Sequence, residues 1–290
     1  SSGGARGVAH IGVIEALLED GYEITSISGS SMGAVVGGVY AAGKLPEFKQ
    51  WMCELDKMEV FKLVDFTLST QGFIRGERVF NEMKKFIEVR KIEELSIPFS
   101  AVAVDIISNK EVVFDKGDLF QAIRASAAIP SVLKPSFVDG YELVDGGVLN
   151  PIPINAVDRS NADLLVVSDV NAPIPYKAIK TEPTKGTGKS QKLFDQFIQK
   201  WNELIPPNEP KKTLKKEEKL SYFDLMTRSI NLMQDKISSH TIEKHKPDIL
   251  INVSREACST FEFHKSKELI EAGKRAYQQS REMSNQKAKS

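Results

Sequence analysis

The sequence predicts an α/β protein in which a mostly parallel central sheet carries helices on both faces. Short runs rich in branched apolar residues, such as residues 164–168 and 249–253, are typical of strands buried in a parallel sheet. These runs alternate with longer segments whose apolar residues recur at helical spacing, which is typical of α/β folds. We expect a single domain over residues 1–290, interrupted by an insert at residues 172–220.

The first elements form a helix–strand–helix unit. Residues 5–19 have helical periodicity, residues 22–28 are typical of a strand, and residues 32–42 form a second helix. A strand ahead of Ser1 would complete a βαβα pattern. Because the chain begins without Met and opens on a glycine-rich loop, we expect residues ahead of Ser1.

The middle of the chain predicts a strand pair and a capped helix. Residues 99–107 and 111–114 are expected to pair around a turn at residues 108–109. Asp118 is expected to cap a helix that ends before Pro130. The other expected elements are strands at residues 141–144, 164–168 and 249–253, and helices at residues 222–237 and 265–279. On the helix at 222–237 a buried apolar side is expected, made of Leu225, Met226, Ile230, Met233 and Ile237.

The insert at residues 172–220 breaks the alternation of strands and helices. Its ends are rich in Pro, Lys and Glu, and between them residues 192–205 place Phe197 and Trp201 on one face of an amphipathic helix. That face either lies transiently on a membrane surface or packs on the sheet, and the sequence leaves both open. Residues 186–190 resemble the end of a phosphate-binding loop, but Pro183 stands where the leading glycine is required, so a flexible linker is favoured.

Composition narrows the classes of function. Hydrophobic residues make up 41% of the chain and charged residues 27%, which is ordinary for a globular protein. Basic and acidic residues are equal at 39 each, so no nucleic-acid partner is expected. The two cysteines favour a reducing compartment, and no apolar run approaches the roughly 20 residues that span a bilayer. We expect a cytoplasmic or peripheral membrane protein, with secretion and the state of any homo-oligomer left open.

The sharpest local signal is the pattern G-x-S-x-G at residues 29–33, with Ser31 at its centre. In a nucleophile elbow, Gly29 and Gly33 would allow the tight turn that exposes the serine hydroxyl. A predicted strand before the pattern and a predicted helix after it are the context that such an elbow requires. We therefore interpret Ser31 as a nucleophile.

A second signal is the glycine-rich loop at residues 2–7, which opens the first helix. Such a loop presents backbone N–H groups to an anion. With a strand ahead of it, the loop would meet the Ser31 elbow at one edge of the sheet and form an oxyanion hole. A dinucleotide site is disfavoured because Ser2 stands where its first glycine belongs.

A serine nucleophile needs a base, and the residues alone leave its identity open. Asp145 precedes Gly146 and Gly147 after a short strand, although Asp-Gly also favours a simple turn. His240, His245 and His264 follow Asp145, so a Ser-Asp-His order is formally available. His10 lies in the first helix, where ordinary packing is expected.

Four segments together resemble the patatin-like phospholipase family, especially its compact bacterial members. Residues 2–13 resemble its glycine-rich oxyanion loop and helix, and residues 29–34 its nucleophile elbow. Residues 124–130 are similar to the helix end that borders its active site, and residues 145–151 to its aspartate motif. The segments occur in family order, and a weaker similarity covers residues 268–273. The insert at residues 172–220 matches nothing in the family pattern.

The resemblance implies a patatin-like three-layer architecture and a Ser-Asp dyad that hydrolyses phospholipid or lysophospholipid esters without metal or cofactor. Ser31 would be acylated, and Asp145 would accept its proton. The oxyanion loop would contain Gly3, Gly4, Ala5, Arg6 and Gly7. The alternatives are a small-ester or thioester hydrolase with a Ser-Asp-His triad, and a catalytically silent lipid-binding module.

Overall fold

Two sheets contain the strands of the computed structural model, which describes residues 1–63, 76–87, 90–130, 132–160, 163–176 and 222–287. The larger sheet contains β1 (Ile27–Ser30), β2 (Phe99–Asp105), β3 (Lys110–Phe114), β4 (Ser136–Val138) and β5 (Tyr141–Asp145). The smaller sheet contains β6 (Val166–Ala172) and β7 (Ile249–Ser254).

Helices surround both sheets. In chain order they are α1 (Ala9–Glu19), α2 (Met32–Ala41), α3 (Leu45–Glu54), α4 (Lys57–Leu63), α5 (Glu77–Met83), α6 (Leu119–Ser126), α7 (Tyr222–His245) and α8 (Ser266–Lys287). Short 3-10 turns at Gly4–Val8 and Gly146–Val148 lead out of the two glycine-rich segments. The Asp118 carboxylate accepts the N–H of Gln121, which confirms the predicted cap of α6.

Strand directions are mixed, whereas a mostly parallel sheet was expected. β1 pairs parallel with β2, and β6 with β7. β2 runs antiparallel to both β3 and β5, and β4 is antiparallel to β5. Short connections force the β2–β3 and β4–β5 pairs to be antiparallel, because a parallel pair needs a long crossover. Asp139 and Gly140, both with positive φ, form the two-residue turn between β4 and β5.

Two further expectations need correction. The strand expected at residues 22–28 begins only at Ile27, where pairing with Phe99 of β2 begins, and it continues to Ser30. Of the apolar side expected to be buried on α7, Leu225 is 53% and Met233 57% exposed, and Ile230 is also exposed. Ile237 is partly buried. In the middle of α7 the contacts with the rest of the fold are polar, because Gln234 and Asp235 form hydrogen bonds to Gly147 and Arg255.

The main core lies between the larger sheet and helices α2, α3 and α6, and Val36, Phe48 and Ile123 are fully buried in it. A second core lies between β6–β7 and the helix pair α1–α8, around Ile251 and Tyr277. Ile242 of α7 packs against the opposite face of β6–β7. The smaller sheet therefore has helices on both faces, as expected.

A groove of about 340 Å³ separates β1 from β6. Within the described residues, β1 pairs only with β2 and β6 only with β7, so each strand turns an unpaired edge toward the groove. The Ser28 hydroxyl, which lines it, has no hydrogen-bond partner there. Ser1 lies at its end and donates its N–H to Ser168 O at 3.0 Å.

Helices α1 and α8 cross with their backbones in contact. A Cβ atom at Gly12 would lie 1.9 Å from Ile270 O, and one at Gly273 would lie 2.0 Å from Ala9 O. Neither contact can relax by moving a flexible side chain, because both partners are backbone atoms. The second core therefore depends on these two glycines.

Replacing Gly12 by Ala tests this crossing. We expect the free energy of unfolding to fall by at least about 2 kcal/mol, because the helices must separate and the core between them must repack. The matched control is Gly21→Ala, where a Cβ meets open space and only the positive φ of 83° opposes it, at about 1 kcal/mol. Urea unfolding compares the two, and equal stability of Gly12→Ala and wild type would contradict the crossing.

Candidate active site

Ser31 occupies a strained turn between β1 and α2. Its backbone has φ 54° and ψ −125°, which a non-glycine residue adopts at a cost of about 1–3 kcal/mol. The two glycines of the pattern are sterically required. A Cβ at Gly29 would lie 2.4 Å from Ala34 N, and a Cβ at Gly33 would lie 2.5 Å from Ser1 O. Ser31 therefore lies in a tight strand-to-helix turn, with the strand and helix context that a nucleophile elbow requires. Its role as a nucleophile stays a prediction.

The hydroxyl of Ser126, at the end of α6, holds this turn in place through two hydrogen bonds. It accepts the Ser31 N–H at 3.0 Å and donates to Val102 O on β2 at 2.6 Å. The neighbouring Ser30 hydroxyl donates to Asn150 O at 2.6 Å. The sequence marked residues 124–130 as a border of the site but did not assign Ser126 this role, since no local pattern reveals a bond across 95 residues.

The glycine-rich loop packs against both neighbouring loops. A Cβ at Gly7 would lie 2.5 Å from the Met32 side chain, and a Cβ at Gly147 would lie 2.9 Å from the Ser2 hydroxyl. Gly4 has φ 55°, in the left-handed region that favours glycine. The loop therefore lies against both the Ser31 elbow and the Asp145 loop.

The residues predicted for the oxyanion loop have different roles. Among the described residues, the N–H groups of Gly3 and Gly4 have no hydrogen-bond acceptor, so both are available to an anion. The Ala5 N–H is already bonded to Thr260 O at 2.8 Å, which corrects the expectation for Ala5. Arg6 directs its guanidinium away, to the Asn171 side chain and to Cys258 O. Gly7 provides close packing against the elbow.

Asp145 is the last residue of β5, and β2 lies between β5 and β1. Its carboxylate accepts the Gly147 N–H at 2.7 Å. Burial raises the pKa of Asp145 from 3.8 to about 6, while hydrogen bonding to the Ser31 side chain and to Gly147 lowers it. A Cβ at Gly146 would lie 2.1 Å from Val102 O, so glycine is needed where this loop crosses β2.

The histidines lie elsewhere. His10 bonds to Ser168 Oγ and Ser1 O beside the groove, and burial lowers its pKa well below 6.5. His240 is exposed on α7, and His245 lies at the C-terminal end of that helix. His264 is partly buried, which lowers its pKa. Within the described residues, no histidine is among the hydrogen-bond partners of the Asp145 carboxylate.

The arrangement combines a hydroxyl, a buried carboxylate with a raised pKa and two free N–H groups. Groups of these three kinds can serve as nucleophile, base and anion stabiliser in acyl transfer. In the ranges that the structure describes, no cluster of His, Cys, Asp or Glu could hold a metal ion, and no helix could span a membrane. The predicted amphipathic helix at 192–205 and the loop at 186–190 lie outside the described residues.

Comparison with known proteins supports the same assignment of family. A family model described as Patatin-like phospholipase matches residues 1–158. An uncharacterized NTE family protein of Mycobacterium tuberculosis is 36% identical over 314 residues, covering 94% of this chain and 87% of that protein. A patatin-like phospholipase domain-containing protein of Caenorhabditis elegans is 31% identical over 179 residues, covering 59% of this chain and 13% of that protein. The crystal structure of VipD from Legionella pneumophila matches 97% of this chain and 65% of its own, with a TM-score of 0.45 and 14% identity.

The raised pKa of Asp145 predicts how stability depends on pH. The folded protein keeps the proton up to about pH 6, whereas an unfolded carboxyl group releases it near 3.8, so the wild type loses stability as the pH rises through this window. Relative to wild type, the free energy of unfolding of Asp145→Asn is expected to rise by about 2 kcal/mol between pH 4 and pH 7.

Urea titrations at the two pH values measure this difference. The control is Asp105→Asn, because the Ser108 hydroxyl lowers the pKa of Asp105, so that this group titrates below the range compared here. Its stability relative to wild type should change little between pH 4 and pH 7. A difference for Asp145→Asn that does not change with pH would show that Asp145 is not buried as described.

Proposed function

The chain belongs to the patatin-like phospholipase family, and we propose that it hydrolyses fatty acyl esters of phospholipids or lysophospholipids through an acyl-Ser31 intermediate. The observation that carries the proposal is the strained Ser31 turn beside the buried Asp145 carboxylate. A backbone held at φ 54° persists only where the surrounding structure imposes it, and such strain clusters at reactive residues.

In the first step, Ser31 Oγ attacks the ester carbonyl carbon while its proton passes to the Asp145 carboxylate. The carbonyl oxygen becomes an oxyanion, which the Gly3 and Gly4 N–H groups stabilise. When the tetrahedral intermediate collapses, the alcohol leaves with the proton from Asp145. The acyl group then remains esterified to Ser31.

The second step repeats this chemistry with water. Asp145 takes a proton from water as the water oxygen attacks the acyl carbon, and the proton passes to Ser31 Oγ as the fatty acid leaves. Both steps transfer only protons and an acyl group, so the proposed reaction uses neither metal nor cofactor. Burial raises the pKa of Asp145 to about 6, which makes it a stronger base than an ordinary carboxylate and leaves it mostly ionised at pH 7.

A lipid substrate is supported by apolar surface that adjoins the site. Gln234 of α7 donates to Gly147 O at 2.8 Å, which places this helix against the Asp145 loop. The outer side of α7 exposes Leu225, Leu232 and Met233. Exposed apolar side chains at such a position fit a substrate taken from a membrane surface, which is the transient partner that we propose. The location at a peripheral membrane stays a prediction.

Fatty acid release from phosphatidylcholine vesicles tests the nucleophile and the substrate class together. Ser31→Ala is expected to lower release by about 10³-fold or more, because no acyl intermediate can form. The matched control is Ser28→Ala on the same strand, whose hydroxyl has no partner in the described residues, and we expect it to retain release.

The alternative functions give different results in the same assay. Release that survives Ser31→Ala would refute the proposed nucleophile. Loss of release in His240→Ala, His245→Ala or His264→Ala, with the fold intact, would replace the dyad by a triad. A wild type that neither releases fatty acid nor reacts with a fluorophosphonate would indicate a silent lipid-binding module.

The pH profile of kcat/KM tests the base. Asp145 must be ionised to accept the Ser31 proton, so kcat/KM should rise about tenfold per pH unit below pH 6 and level off above it. Steady-state rates with a short-chain ester between pH 4.5 and 8 measure this limb. An apparent pKa near 4 in this profile, or one that shifts when a histidine is replaced, would contradict Asp145 as the base.

A further inference from the structure

Strand β6 contains a bulge beside the glycine-rich loop. Asp169 pairs with Asn252 of β7 and Ala172 pairs with Ser254, so β6 has one residue more than β7 between the two pairs. The Asp169 carboxylate accepts the Asn171 N–H at 2.9 Å inside the bulge. Bulges re-aim side chains, and here the Asn171 side chain points to the loop at Ser2 and Arg6.

The Asn171 amide bonds to the loop with both of its ends. Its Nδ2 donates to Ser2 O at 2.7 Å, and its Oδ1 accepts from Arg6 Nε at 3.1 Å and Nη2 at 2.8 Å. Arginine only donates and a carbonyl oxygen only accepts, so these partners fix the orientation of the amide. Among side chains of this length, an amide satisfies both partners and a carboxylate does not.

The bond to Ser2 O determines the direction of the Gly3 N–H. Ser2 O and Gly3 N belong to the same planar peptide group, in which the C=O and N–H bonds point in opposite directions. Holding the oxygen therefore holds the N–H. The Ser2 N–H is fixed separately by Pro151 O at 2.8 Å, which leaves the rotation of the Ser2–Gly3 peptide to be fixed by Asn171.

We propose that Asn171 is a positioning residue that aims the Gly3 N–H into the oxyanion hole. The inference rests on the proposed function, in which that N–H binds the oxyanion. Asn171 touches neither the nucleophile nor the base, and it acts through a single peptide plane. A glycine loop needs such a restraint, because glycine does not itself limit the rotation of the peptide.

The rest of the fold holds Asn171 in place. Its backbone oxygen accepts from Arg255 Nη2 at 2.7 Å. Arg255 in turn pairs with both oxygens of Asp235 on α7, at 2.6 and 2.7 Å. Two N–H···O bonds in one plane give this pair a defined geometry. Asn171 is therefore braced on the side away from the loop.

Two substitutions separate positioning from stability. Asn171→Asp keeps an acceptor for Arg6 but turns an oxygen toward Ser2 O, whereas Asn171→Ala loses both bonds and leaves Ser2 O to water. We expect Asn171→Asp to be the more stable of the two and the less active. Its kcat should fall by about 10²-fold, comparable to the loss of one oxyanion donor, with KM changed by no more than about threefold because ground-state binding is untouched.

The measurements are kcat and KM with a short-chain chromogenic ester, the unfolding midpoint in urea, and the rate of labelling by a fluorophosphonate, whose phosphoryl oxygen occupies the oxyanion hole. The control is Asn252→Asp on β7, for which wild-type kcat is expected. If the activity of the two Asn171 variants follows their stability, or if Asn171→Asp keeps wild-type kcat, the positioning role is wrong. If the wild type neither hydrolyses the ester nor is labelled, the proposed function fails, and the role of Asn171 with it.

Discussion

The contact between the Ser31 side chain and a buried carboxylate is the constraint on which the rest of the site depends. A carboxylate loses hydration when it is buried, and at Asp145 this loss outweighs the two hydrogen bonds that favour its charge, so its pKa rises. β1 pairs parallel with β2 and ends opposite Val102, whereas β5 pairs antiparallel with β2 and ends opposite Ala103. The two strand ends therefore lie on either side of the same part of β2, which brings Asp145 to Ser31.

Close approach of backbones follows from the same constraint. The Asp145 loop crosses β2 at Gly146, and the Ser31 elbow meets the start of the chain at Gly33. A side chain at either position would overlap a backbone oxygen, so neither contact can be relieved by a rotamer change. Both the strained φ of Ser31 and the buried Asp145 destabilise the folded state. The main core around Val36, Phe48 and Ile123 offsets these costs by burying apolar surface.

The sequence predicted those parts of the site whose chemistry is local. The elbow at Ser31 and the turn at Asp145 are encoded by adjacent glycines, and Asp118 caps its helix as expected. The role of Asn171 could not be predicted, because its bulge arises from pairing with β7, about 80 residues away. The strand expected at residues 22–28 was placed too early, since the position of β2 determines where β1 begins to pair. Asp139-Gly140 is a dipeptide that favours a two-residue hairpin turn, so the sequence did indicate a strand before it. The prediction nevertheless missed this strand, β4.

Helix α7 shows why periodicity alone misassigned a buried face. Apolar spacing predicted that Leu225 and Met233 face the core, yet adjacent polar residues determine the orientation of the helix. Gln234 bonds to the Asp145 loop at Gly147 O, and Asp235 pairs with Arg255, which braces Asn171 behind the glycine-rich loop. Turning the apolar residues inward would break both connections. One helix thus supports the Asp145 loop and the glycine-rich loop through neighbouring residues, and its side with Leu225 and Met233 remains exposed as a consequence.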